Sequence, residues 1–225
     1  MIDCLLANWQ FYACIALAAV LSFIPIIGKF LNVLNTLFHE SAHAVVALLT
    51  GGGVMNIKLS ADTSGTAQTK SKYWLGKVLT SLAGYPISSL TAWLFFWLIK
   101  VHKVKFIFYI MLSLIMVNLI LWVRNTFGLI WLLVMGCICG LVYLYTTQEL
   151  QYYFVTFCAG IVLFQSIYSA ITLFIISIKS ASKAGDAKNL KDFTFIPAVI
   201  WALLFVLISF WVAFMVFKTF PCITS

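Results

Sequence analysis

Seven apolar runs take up most of this chain, and they restrict its fold more than any other feature. They lie at about 11–27, 31–49, 75–99, 106–123, 127–145, 152–178 and 196–217. A helix needs about 20 residues, at 1.5 Å rise each, to cross the hydrocarbon of a bilayer. In lipid, backbone polar groups must be satisfied internally, so segments of this length read as helices. Over 225 residues the chain is 64% hydrophobic and 9% charged, whereas a soluble domain carries about 25% charged residues. Too little polar surface exists to cover a water-soluble globule. The expected fold class is an all-α polytopic membrane protein, a single integral membrane domain over 1–225. It has six or seven transmembrane helices, the count turning on Pro25 in the first run and on the length of the sixth.

The formal net charge of +8 does not point to nucleic acid. The cations fall between the apolar runs, where they meet headgroups and water, so the expected partner is the lipid bilayer. With seven spans, one side collects Lys58, Lys70, Lys72, Lys77, Arg124, Lys179, Lys183, Lys188 and Lys191. The other collects Lys29, Lys100, Lys103, Lys105 and Lys218. The positive-inside rule makes the richer side, which holds the N-terminus, cytoplasmic, in a multi-pass protein of the cell membrane. The first run follows Asp3 rather than a basic segment, and reads as a membrane helix rather than a cleaved signal. The six cysteines are dispersed and read as small apolar fillers; Cys137 and Cys139, two apart, suit neither a redox pair nor a zinc knuckle.

Two connections are not plain loops. After Gly51-Gly52-Gly53, Asn56, Lys58 and Ser60 alternate with Ile57 and Leu59 and lead into Asp-Thr-Ser-Gly, a β-hairpin signature over 54–70. The glycines end the preceding helix and permit a sharp change of direction. The second, 179–195, is polar, rich in small residues, and carries Asp186 and Asp192.

The helix over 31–50 contains His39-Glu40-Ser41-Ala42-His43, an H-E-x-x-H sequence. Helical positions four apart share a face, so His39 and His43 can both reach one tetrahedral Zn²⁺. Glu40, beside the first histidine, can take a proton from water that the metal acidifies. Two histidines and a glutamate inside a span are costly unless something satisfies all three; a metal does so. From Ser41 to the helix end is about 13 Å along the axis at 1.5 Å per residue, which sets the metal below the lipid surface.

The stretch Phe38 to Gly53, followed by a hairpin, resembles the site-2 protease family of intramembrane zinc metalloproteases, and more closely a bacterial branch of that clan. Further landmarks of that branch are Ala83-Gly84-Tyr85, Arg124-Asn125-Thr126-Phe127-Gly128 and Gly185-Asp186-Ala187. The chain departs from the branch at Ala42 and Gly185, where glycine and serine are usual. It also lacks the Leu-Asp-Gly sequence that supplies the third ligand in typical members.

The third ligand is therefore sought among the remaining acids and His102. Asp62 sits at the hairpin tip, where turn chemistry alone favours Asp. His102 and Glu149 belong to the opposite side, and Asp192 suits a surface or cap role. Asp186 lies on the right side in the turn that resembles the family's, and completes a His₂-acid set with a position left for water. The alternative is a loop aspartate neutralised by Lys183 and Lys188; the ligand role is preferred. Asn125 is a candidate oxyanion donor or a helix cap. The expected activity is hydrolysis of a membrane protein or peptide substrate by a zinc metalloprotease with Glu40 as general base. The alternatives are a catalytically silent relative that binds partner helices, and a metal-ion transporter.

Overall fold

The computed structural model describes residues 9–219; Asp3, Cys4 and Cys222 lie outside them. Each apolar run becomes a helix. In chain order these are α1 (Trp9–Ser22), α2 (Ile27–Leu49), α3 (Trp74–Lys100), α4 (Val104–Val117, continued without a break by a π-helical turn, Asn118–Trp122, to make one span), α5 (Thr126–Tyr145), α6 (Gln148–Lys179) and α8 (Ala198–Thr219). A hairpin, β1 (Gly53–Leu59) and β2 (Gly65–Lys70), follows α2, and a short helix, α7 (Gly185–Thr194), lies between α6 and α8. The all-α membrane architecture with one hairpin is as expected.

The seven runs are nonetheless not seven crossings. α1 has 14 residues among those described. α2 has 23, but its apolar character is broken by Asn32, Asn35, Thr36, His39, Glu40, Ser41 and His43. The two meet at 106° and together make at most one span, so the described residues hold five spanning helices, or six with the bent pair. Pro25 and Ile26, whose φ is +72°, form the corner, and Asn32 Nδ2 donates to the Ser22 carbonyl across it at 3.1 Å.

α2 and α3 pack along their length, and α6 closes the bundle against both. The core holds Leu34, Leu37, Phe95, Phe96, Phe108, Trp131 and Val155. Lipid tails are as apolar as these side chains, so close packing and interhelical hydrogen bonds hold such a bundle together. Ser89 and Ser209 meet at 3.1 Å, and the Ser209 hydroxyl donates to the Ser166 carbonyl at 3.3 Å, joining α3, α8 and α6. Each such bond contributes about 0.6 kcal/mol. The opposite face of α8, with Leu207, Phe210, Trp211 and Phe214, is exposed and suits lipid.

The hairpin is antiparallel, Gly53 opposite Lys70 and Leu59 opposite Gly65, with an irregularity between Val54 and Asn56. The outer edge of β1 is taken up by a parallel bridge from Ile57 to Val123. Among the described residues β2 pairs with β1 alone, so its second edge is open.

Candidate metal and catalytic site

The polar residues that break α2 do so on one face. His39 and His43, four apart, bring their Nε2 atoms to 3.1 Å of each other. Asp186 Oδ2 stands 3.1 Å from the first and 3.2 Å from the second, although 147 residues separate Asp186 from His39. The result is a nearly equilateral triangle of possible ligand atoms. Three ligands of a tetrahedral Zn²⁺, each about 2.0–2.1 Å from it, stand about 3.3 Å apart, so the triangle has the size of such a ligand face.

Hydrogen-bond chemistry also favours a cation. His43 Nδ1 donates to the Thr80 carbonyl at 2.6 Å, which leaves Nε2, facing the Asp186 oxygen and His39, as the atom that takes a proton or a metal. Lone pairs facing one another at this range repel unless a proton or metal lies among them. A histidine ligand typically gives its other ring N–H to a carbonyl or carboxylate in this way. The Tyr85 ring supports His39 edge-on, with centroids 4.6 Å apart, and stacks on Phe205 at 4.8 Å. Gly84 lies directly against both imidazoles: a Cβ there would overlap the His39 ring and come within 2.6 Å of His43 Nε2.

Asp186 is carried by α7, whose sequence explains its pose. Ala187 and Leu190, three apart, bury one side of the helix against Leu173 and Phe205. Trp74 Nε1 donates to the Phe193 carbonyl at 2.7 Å, and Trp201 Nε1 to Thr194 Oγ1 at 3.1 Å. Asp186 falls in the first helical turn, where the macrodipole favours a negative charge. Burial by itself raises its carboxyl pKa, but the imidazoles of His43 and His39 more than offset this and hold it below the usual carboxylate range. Its carboxylate is therefore anionic at neutral pH.

Glu40 lines the same cleft and reaches the hairpin. A Cβ on Gly65 would stand 2.6 Å from Glu40 Oε1, so only glycine lets the β2 backbone lie this close. Thr36 Oγ1 donates to the Thr63 carbonyl at 2.8 Å, fastening the hairpin turn to α2. Between α2, α3, α7 and the open edge of β2 is a cleft of about 420 Å³; His39, Glu40, His43, Asp186, Tyr85 and Ala67 are among its walls.

Asn125 is the one proposed site residue the structure leaves out of the cleft. Its Nδ2 donates to the Leu59 carbonyl at 2.6 Å, and its Oδ1 accepts from the Leu59 N–H at 3.1 Å. The amide thus stands in for a neighbouring strand and fixes the end of β1; with both ends engaged, it is not placed as an oxyanion donor. Asp62 caps the hairpin turn, accepting from the backbone and hydroxyl of Ser64 at 3.0 and 2.6 Å. Asp192 pairs with Lys188. His102 lines a separate cavity with Lys103, Lys105 and Gln148. Sequence reasoning missed Thr80 and the packing role of Gly65. A carbonyl carries no side-chain signature, and a glycine in a hairpin has an ordinary explanation in turn geometry.

The model of the family described as Peptidase M50B-like matches residues 12–216 of this chain. Comparison with curated proteins and with solved structures finds no match.

Proposed function

The chain belongs to the Peptidase M50B-like family, and on that footing we propose that it is an intramembrane zinc metalloendopeptidase. On this reading His39, His43 and Asp186 hold the metal, and peptide bonds within or beside the bilayer are hydrolysed. The observation that carries the reading is the position of Glu40, adjacent to His39 in sequence and against the open edge of β2 in space. When bound, Zn²⁺ supplies Lewis acidity and lowers the pKa of its water toward neutrality.

The chain's own residues do the rest. The Glu40 carboxylate takes a proton as attack begins and returns it to the leaving amine. The Thr80 carbonyl keeps His43 in the tautomer whose Nε2 faces Asp186. Tyr85 and Gly84 hold His39 in register. A transmembrane helix bonds its own carbonyls, so a substrate must unwind before its backbone is reachable. The open edge of β2 at Gly65–Lys70 offers main-chain partners to the unwound segment, which orients it without demanding a sequence.

The experiment is metal removal. Purified protein incubated with a labelled transmembrane peptide bearing a Gly-Pro helix break should cut it. Chelation by 1,10-phenanthroline should stop cleavage, and added Zn²⁺ should restore it. Cleavage that survives chelation contradicts the reading.

The hairpin, Arg124 and α7 share one end of the bundle through the Ile57–Val123 bridge and the His39–Asp186 contact. That end holds most of the loop cations, so we infer that the cleft opens to the cytoplasm. A cysteine placed at Lys58 should react with a membrane-impermeant maleimide only in inverted vesicles. Labelling in intact cells would reverse the orientation.

A further inference from the structure

The cleft has polar groups that the proposed chemistry does not use. Asn35 lies on α2 one turn before His39, on the same face, and lines the cleft. It is 5% exposed, and its Oδ1 is buried with no hydrogen-bond partner. Thr80 of α3 lines the same cleft at 6% exposure; its carbonyl serves His43, but its Oγ1 is also buried and unpaired. Asn32 and Asn118 also leave Oδ1 buried and unpaired, but each engages its Nδ2, Asn32 with the Ser22 carbonyl and Asn118 with Ser41 Oγ, at 3.1 and 2.9 Å. A buried polar group left unpaired costs about 1–3 kcal/mol. Leucine at 35 and valine at 80 would remove that cost at nearly the same volume.

The molecule shows what such a side chain can do. The Asn125 amide satisfies both the N–H and the C=O of Leu59, a strand residue that it pairs with as a neighbouring strand would. An unwound substrate brings the same two groups, freed from its own helix, and they need partners in a site shielded from water. The torsion before an Asn amide is broad and roughly two-fold, so either of its polar atoms can be offered to the cleft.

We propose that Asn35, one helical turn before His39, and the Thr80 hydroxyl, level with His43, form a backbone-binding subsite that hydrogen-bonds an extended peptide on the two sides of the ligand triangle. The subsite rests on the proteolytic reading of the same cleft. Its ligand is an unwound polypeptide of any sequence, since it reads the main chain. Asn35 and Thr80 act here as positioning residues.

Two probes separate the subsite from the metal. Acetohydroxamate reaches a bound Zn²⁺ alone. The phosphinic peptide Ala-Leu-Ala-ψ(PO₂–CH₂)-Ala-Leu-Ala reaches the metal and extends along the cleft in both directions. In zinc-loaded protein, Asn35→Leu should weaken the phosphinic peptide about tenfold, the loss of one hydrogen bond. Acetohydroxamate affinity should not change, and thermal stability should hold or rise. Thr80→Val should act in the same direction and carries the test if Asn35→Leu fails to fold. Unchanged phosphinic-peptide affinity in the folded variants would overturn the subsite, as would wild-type protein that binds the two probes equally. Wild-type protein that takes up zinc but binds neither probe would instead overturn the proteolytic reading beneath it.

Discussion

Glu40→Gln protein should carry as much metal as wild type and hydrolyse a membrane substrate slower by on the order of 10²–10⁴-fold, the usual contribution of a positioned general base. Glutamine keeps the length and shape of the side chain, so the hairpin can still seat Gly65 against it. The amide cannot accept and return a proton. Because Glu40 is not one of the three atoms forming the triangle, removing its charge should leave the ligand set assembled. Metal content by elemental analysis and cleavage of the labelled peptide check the two halves separately. A Glu40→Gln protein that cuts near the wild-type rate would move the base elsewhere.

Gly84→Ala should reverse the usual sign of its substitution. In a helix interior, alanine in place of glycine stabilises by about 1 kcal/mol. At this position the new methyl group would occupy space held by the His39 ring and by His43 Nε2. Either α3 moves away from α2 or the imidazoles turn out of the triangle. The expected results are loss of most bound metal, loss of activity and a lower melting temperature. Gly140→Ala on α5 is the control, because a Cβ there meets nothing within 4 Å; it should be neutral or stabilising. Full metal content in Gly84→Ala would mean that the close approach of α3 to the histidines is not needed for binding.

Much of this was legible in the sequence because lipid makes polar residues conspicuous. His39, Glu40 and His43 stand out in an apolar helix, and helical spacing alone puts both histidines on one face. The hairpin announced itself by alternation and turn residues, and it appears within a residue or so of the expected bounds. Asp186 emerged from weighing the few acids by side, together with the family resemblance, and the fold brings it to both histidines.

What stayed hidden depends on geometry that composition does not encode. The corner after Ser22 turns two apolar runs into at most one crossing, and Pro25 gave only a hint of it. α7 was read as a polar connection, since its burial rests on Ala187 and Leu190 alone. Asn125 stood beside the right segment, but its partner is the Leu59 backbone, which no side-chain pattern could reveal. Asn35, by contrast, was within reach: it is four residues before His39, and the helical period already places it on the ligand face.

The most direct measurement is the zinc content of purified protein, wild type beside Asp186→Ala, by elemental analysis. The ligand triangle predicts about one Zn²⁺ per wild-type chain and a large loss when the carboxylate is removed. A wild-type protein that binds no divalent metal, or an Asp186→Ala protein that keeps its full complement, would contradict the assignment of this site.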